Sequence, residues 1–396
     1  MERPQLLVKS PARLRTRPLH GGGCTYPRPK PQPLAGHLGR WGLDPLPLLD
    51  EGARLGPVFE LRLWRRAIVG YRPDFNRQVL KDLDTFRSKG SLSRLTPYLN
   101  GGVVMTDVPA HGPRRAVLNP PMSRSALEPL HSRLRDVADA HLPIGPFDAL
   151  DWSGNVVRSM LNAAFFDNRV DDHVLDAFLR PLHRSVPHPF LPRPVVRLRL
   201  RRAIEAQVAD PVAGTLTAAL ADIDGAAEEI RIALAAGYDT TAHTLAWALW
   251  HLADSPQWQV PDGIPAVIDE TLRLYPAGWL GSRITSREVV VAEAHVPAGT
   301  LILYSPYLTH RDPELWSDPL SFQPERFASG RPAWGFIPFS AGPRTCLGAH
   351  VARAMLTAAL QQFMRGDLRA LTPRPKAVTG LTLRPEGPVL LQRAQG

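Results

Sequence analysis

The stretch Phe339-Ser340-Ala341-Gly342-Pro343-Arg344-Thr345-Cys346-Leu347-Gly348 decides how this chain is read. An isolated cysteine is usually a small buried hydrophobe, but the company Cys346 keeps changes its meaning. Beyond Gly348, Val351, Met355, Ala359 and Phe363 recur at helical spacing with no Pro or Gly before Gly366, so Cys346 precedes a helix N-terminus. Backbone N–H groups at such an end, with the helix dipole, hold down the charge of a thiolate. Gly342 and Gly348 allow turns and close approach to a flat macrocycle, Arg344 can reach a haem propionate, and Phe339 can shield the sulfur from water. Phenylalanine, glycine, arginine, cysteine and glycine at these offsets suit a haem iron held by thiolate, and the pattern is specific.

Upstream, Glu270-Thr271-Leu272-Arg273 puts an acid and a base on one helix face, and Pro324-Glu325-Arg326-Phe327 offers a second arginine. Alone, such a pair is most often a solvated salt bridge. Further upstream, Ala235-Ala236-Gly237-Tyr238-Asp239-Thr240-Thr241 lies within a helical run predicted from about Ala226 to Ala253. A helix of that length spans roughly 40 Å, enough to cross a domain beside a cofactor. Asp239-Thr240-Thr241 could instead cap a helix, but Leu234, Tyr238, Leu245 and Leu249 at helical spacing argue for continuity.

With these motifs in their order, the chain resembles the cytochrome P450 monooxygenases over about residues 35 to 390. The resemblance implies a mainly α fold with small β-sheets, a triangular helical haem domain with a β-rich side. Residues 35–396 would form that domain, after a Pro/Arg-rich segment 1–34. It implies haem b with Cys346 as axial ligand and dioxygen as co-substrate, and it joins Glu270, Arg273 and Arg326 in a buried structural network. Ala236 and Gly237 would leave room over the haem, and Thr240 would hydrogen-bond back to the carbonyl of residue 236 and open the helix locally. Asp239 would rotate to supply protons, making Asp239 and Thr240 the catalytic pair. His111 and Arg115, spaced i, i+4, and Arg283 are the further expected haem contacts. Expected side-sheet strands are the alternating Val58-Phe59-Glu60-Leu61-Arg62-Leu63-Trp64, then Ala67–Gly70, Val289–Val291 and Leu301–Tyr304.

No run of eighteen apolar residues occurs, and residues 1–30 lack the apolar core of a signal or anchor, which predicts a cytoplasmic protein. Only Cys24 and Cys346 are present, so no disulfide framework is expected. The cysteine motif falls near the C-terminus, leaving no room for a fused reductase, so electrons are expected from a separate protein. The formal charge is +10, almost all of it arginine, and suits an acidic ferredoxin or flavodoxin with its NAD(P)H reductase. Arg193, Arg197, Arg199, Arg201 and Arg202, interleaved with apolar residues, read either as a solvated face or as peripheral contact with an anionic membrane. Oligomeric state is not legible.

The expected reaction is insertion of oxygen into a C–H bond of a hydrophobic substrate. By resemblance the pocket walls are Leu92, Leu95, Leu99, Val103, Ala235, Ala236, Gly278, Trp279 and Leu280, almost wholly apolar and without a cationic clamp. That favours a terpenoid or carotenoid, a fatty acyl chain or a polyketide over a short acid. A peroxide-dependent haem-thiolate enzyme or an isomerase would share the Cys346 motif but has no need of Asp239-Thr240. A non-catalytic basic protein binding membrane or nucleic acid would explain the charge alone and leave the ordered motifs unexplained, so no nucleic-acid partner is expected.

Overall fold

The helix Ala226–Asp254, 29 residues long, is the axis around which the chain is arranged. It contains no proline, begins after Gly225 in the left-handed region, and carries Glu228 and Glu229 in its first turn, where the helix dipole favours acids. It is buried nearly all round, as a helix enclosed by neighbours is. The helices Ala149–Phe166, Pro194–Ala209, Ile264–Leu274 and Ala349–Gln361 pack against it. Their inward residues, among them Val156, Met160, Leu200, Ile268, Met355 and Leu356, merge with Leu234, Leu245 and Leu249 into the main core.

This computed structural model describes residues 26–91, 97–184, 191–364 and 367–394. Its β-rich side is a five-stranded sheet in the order Val58–Arg62, Arg66–Gly70, Leu301–Tyr304, Gly281–Thr285, Phe86–Arg87. Only the pair of Arg66–Gly70 with Leu301–Tyr304 is parallel. Strand alternation sends Phe59, Leu61, Val69, Leu301 and Leu303 to one face, where they meet Trp247 of the long helix. Val58, Ile68, Ile302 and Tyr304 face the other way and cover Phe75, Val79 and Leu80. Smaller sheets pair Gly145–Asp148 and Leu368–Ala370 with Leu390–Arg393, Ala377–Thr379 with Leu383–Pro385, and Val289–Val291 with Ala294–Val296.

The expected mainly helical architecture is what the chain adopts, and the expected long helix differs from the observed one by a residue at its end. The alternating run from Val58 stops at Arg62, because Leu63 turns back and its N–H reaches the carbonyl of Arg65. Within the expected N-terminal segment 1–34, the described part touches the sheet at its start: Tyr26 is buried with its hydroxyl 2.5 Å from the Val291 carbonyl, and Glu60 N–H donates to the carbonyl of Pro27, while residues 32–34 are exposed. Among the described residues no helix is long and apolar enough to cross a membrane.

Candidate active site

Between the long helix and the segment 338–348 lies a cavity of about 420 Å³. Cys346 opens onto it from a tight loop in which its N–H donates to the Phe339 carbonyl at 2.8 Å and Gly342-Pro343-Arg344 form a short 3-10 turn. Gly342 is required by conformation and space: its φ is +71°, and a Cβ there would come within 2.7 Å of the Leu80 carbonyl oxygen. It holds the loop's outer side and does not line the cavity, whereas Gly348 does, with open space where a Cβ would be. The helix Ala349–Gln361 starts directly after it.

The thiol of Cys346 is accessible from the cavity yet enclosed by protein on every other side. Burial pushes its pKa up, against the opposing pull of the Gly348 N–H and the Arg115 cation. A sulfur in this setting is a thiol in the protein alone and becomes a thiolate when a metal cation takes the proton's place.

Four nitrogen-rich side chains surround the far rim: His111 and Arg115 from the helix His111–Leu118, Arg283 from the strand Gly281–Thr285, and Arg344. Arg344 is held by the Thr106 carbonyl and the Asp107 carboxylate, both at 2.5 Å. The Nε atoms of Arg115, Arg283 and Arg344 are all buried without a hydrogen-bond partner. Orphaned cationic donors converging on one cavity are out of balance until an anion enters. Burial and Arg283 push Arg344 down to about 10, so it stays charged at neutral pH. His111, expected with the arginines, is neutral against the chain's own charges, pushed down to about 4 by burial and then by Arg344 and Arg115. The donors therefore fit the propionates of a haem whose iron meets Cys346, with His111 as a neutral donor.

The opposite wall is the long helix, which presents Glu229, Ile232, Ala233, Ala236, Gly237 and Thr240 at helical intervals. Thr240 Oγ1 donates to the Ala236 carbonyl at 2.6 Å. The helix is continuous through this turn, and small Ala236 and Gly237 leave space on the cavity side. Asp239 lies beside Thr240 but turns away from the cavity, buried against His183, His243 and Thr382.

Of the expected pocket residues, Val103, Ala236, Gly278 and Leu280 line the cavity, and Leu92 and Leu95 lie outside the described residues. Leu99 and Ala235 do not line it, because both face the main core. Trp279 is also off the wall, its ring 6.2 Å from that of Trp41 and its carbonyl taken by Ser305 and Tyr307. Sequence reading missed Met122, Leu161, Phe165 and Met355 on the wall, and the part-buried pair Arg114 to Glu229 at 2.9 Å. Counting back from Thr240 in steps of three and four along its helix would have found Glu229, Ile232 and Ala233.

Behind the cysteine loop, Glu270 and Arg273 are fully buried and joined by two hydrogen bonds, 2.7 and 2.8 Å. Arg326 Nε adds a third to the same carboxylate at 3.1 Å, so the expected network is present as an assembled unit.

Comparison with known proteins agrees with this geometry. The model of the family described as cytochrome P450 matches residues 264–366. A protein named cytochrome P450 139, from Mycobacterium tuberculosis (strain ATCC 25618 / H37Rv), is 28% identical over 382 residues, 78% of this chain and 88% of that one. The mitochondrial sterol 26-hydroxylase of Homo sapiens is 36% identical over 196 residues, covering 41% of this chain and 37% of its own. This chain likewise spans only 41% of cytochrome P450 3A31 of Mesocricetus auratus, at 32% identity over 44% of its own length. A crystal structure of a six-coordinated cytochrome P450 from Thermus thermophilus superposes with a TM-score of 0.77 at 25% identity, over 89% of this chain and 99% of that one. With the cysteine loop, the buried glutamate–arginine unit and the fold in agreement, this chain belongs to the cytochrome P450 family.

Proposed function

We propose that the protein is a haem b monooxygenase that hydroxylates a hydrophobic molecule with electrons from a separate acidic ferredoxin or flavodoxin. The observation that carries the reading is the opposition of Cys346 and Thr240 across one cavity whose rim holds three buried, unpartnered arginine nitrogens. When bound, the haem would supply dioxygen activation, and Cys346 would hold its iron by thiolate while Arg115, Arg283 and Arg344 would hold its propionates. The chain does the rest. Phe339 and Leu347 keep bulk water from the sulfur, and Val103, Leu161, Phe165, Ile232 and Leu280 hold an apolar substrate and orient one carbon.

Thr240 holds a proton at Oγ1, anchored to the Ala236 carbonyl, and Asp239, the residue before it, is the acid that replenishes the cavity side. The apolar wall supports a terpenoid, carotenoid, fatty acyl or polyketide substrate. The helix Pro194–Ala209 supports peripheral membrane contact by the same token, since Val195 and Leu198 are exposed among its arginines.

Thr240→Ala in the haem-loaded protein, supplied with a surrogate ferredoxin and its reductase, tests the reading. Haem content and the carbon monoxide band of the reduced protein should match the parent, while product per electron falls several-fold and peroxide rises. Equal product per electron in both proteins would refute the role of Thr240.

A further inference from the structure

Asp239 does not face the cavity it is proposed to serve. Its Oδ1 lies 3.2 Å from His183 Nδ1 and 3.4 Å from His243 Nδ1, and Thr382 Oγ1 donates to Oδ2 at 3.1 Å. The two imidazoles stack, centroids 4.2 Å apart and planes 20° apart. A metal ion lying in the plane of one ring would therefore sit over the face of the other, so the cluster is not a chelate. It is a donor set for a carboxylate.

The three members differ in access. His243 and Asp239 side chains are 1% and 5% exposed, that of His183 13%. His243 Nδ1 is committed to Thr382 Oγ1 at 2.6 Å, and burial holds the ring neutral, pushed down to about 3. His183 is free of such a tie: its Nε2 is buried without a protein partner among the described residues, facing Gly154, where a Cβ would stand 3.7 Å away. Burial favours the protonated acid at Asp239, but the His183 and Thr382 donors outweigh it and hold its pKa down while it faces them.

We propose that His183 is the proton-loading residue for Asp239, the step by which solvent protons reach the oxygen side of the cavity. This role rests on the one given to Asp239 and Thr240 above. The imidazolium of His183 gives its Nδ1 proton to Asp239 Oδ1. The neutral acid loses its hold on the cluster, rotates toward Thr240, delivers the proton and returns as carboxylate. His183, the most exposed member of the cluster, then recovers a proton from solvent. Two such cycles match the two protons and two electrons that dioxygen cleavage to water and one inserted oxygen atom consumes, the electrons coming from the redox partner. The ionisable groups around this path are Asp239, His243 and Tyr238 on the long helix, Asp176 on the helix Asp172–Leu179, Arg180 and Arg184 beyond it, Arg158 on the helix Ala149–Phe166, and Arg384 on the strand Leu383–Pro385.

The test compares parent, His183→Asn, His183→Lys and Asp239→Asn as holoenzymes, with a surrogate ferredoxin and reductase and an apolar compound that shifts the ferric spin state. Asparagine keeps a donor for Asp239 but carries no proton, and lysine carries one. His183→Asn should slow turnover on the order of tenfold, raise the solvent deuterium isotope effect and flatten the alkaline fall of the pH profile, with the carbon monoxide band unchanged. His183→Lys should regain part of the rate. Independently of turnover, the His183 ring titration read by NMR on the reduced, carbon monoxide-bound protein should move to lower pH in Asp239→Asn. Parent-like rate, isotope effect and pH profile in His183→Asn beside an impaired Asp239→Asn would overturn the proposal and spare the acid–alcohol reading. Parent-like behaviour of both would overturn the two together. Should His183→Asn fail to fold, an unmoved His183 titration in Asp239→Asn overturns the proposal by itself.

Discussion

Replacing Glu270 by glutamine separates burial from distance as the source of an ion pair's worth. Glu270 and Arg273 are both fully buried, and Arg273 spends its fork on Glu270 Oε1 and Oε2, the carbonyls of His310 and Pro319, and that of Ser321. The Gln323 N–H and Arg326 Nε converge on the same carboxylate. The glutamine keeps the shape but leaves two arginines facing a neutral amide, a loss of about 3–5 kcal/mol for a buried pair broken from one side. Arg40 and Glu51 are as close, 2.6 Å, but both are about one-third exposed. Glu51→Gln should therefore cost about 0–1 kcal/mol. Urea unfolding of holoenzyme, followed by tryptophan fluorescence, reads both, and the carbon monoxide band on the same samples reads the cysteine loop. That loop should suffer too, because His310, whose carbonyl Arg273 holds, accepts from the Ile337 N–H at its Nε2, and Ile337 in turn takes the N–H of Ser340. Equal losses in the two variants would refute burial as the deciding factor. A stable Glu270→Gln with an intact band would refute the network's role altogether.

Arg115→Leu and Arg283→Leu should each speed haem transfer to apomyoglobin by about 10- to 100-fold, the worth of one charge-assisted hydrogen bond, whereas Arg199→Leu on the exposed helix should not alter it. Stability should fall as pH drops below the range where a free histidine titrates. His251 and His310 are pushed down to about 3 by burial, so between there and the ordinary histidine value of 6.5 the unfolded chain binds protons that the folded chain does not. Going from pH 7.5 to 5.5 should cost about 1.4 kcal/mol per such histidine, and the unfolding free energies of parent and His251→Asn, read by urea titration, should converge by that amount. A pH-independent gap between them would contradict the assignment.

What the sequence made legible was local. Cys346, the glycines around it and the start of the next helix fall within one short run, and Thr240 with Ala236 within a single turn, so spacing alone brought them together. Of the rim arginines, Arg344 lies within that same run, whereas Arg115 and Arg283 were reachable only through resemblance, since each comes from a separate element. The pocket walls were less legible, because which face of a residue looks inward depends on packing: Ala235 and Ala236 are neighbours, yet one lies in the core and the other on the cavity. Asp239 shows the limit most sharply. Its position in the helix is plain from periodicity, but its direction is set by His183, 56 residues before it, and Thr382, 143 residues after it. Neither carries a motif. A helix fixes where a side chain starts, and the partners that long-range folding brings to it decide where its charge ends. Under the proposed proton delivery those partners also set the cost of each departure of Asp239, and the loop histidine then shares proton supply with the long helix.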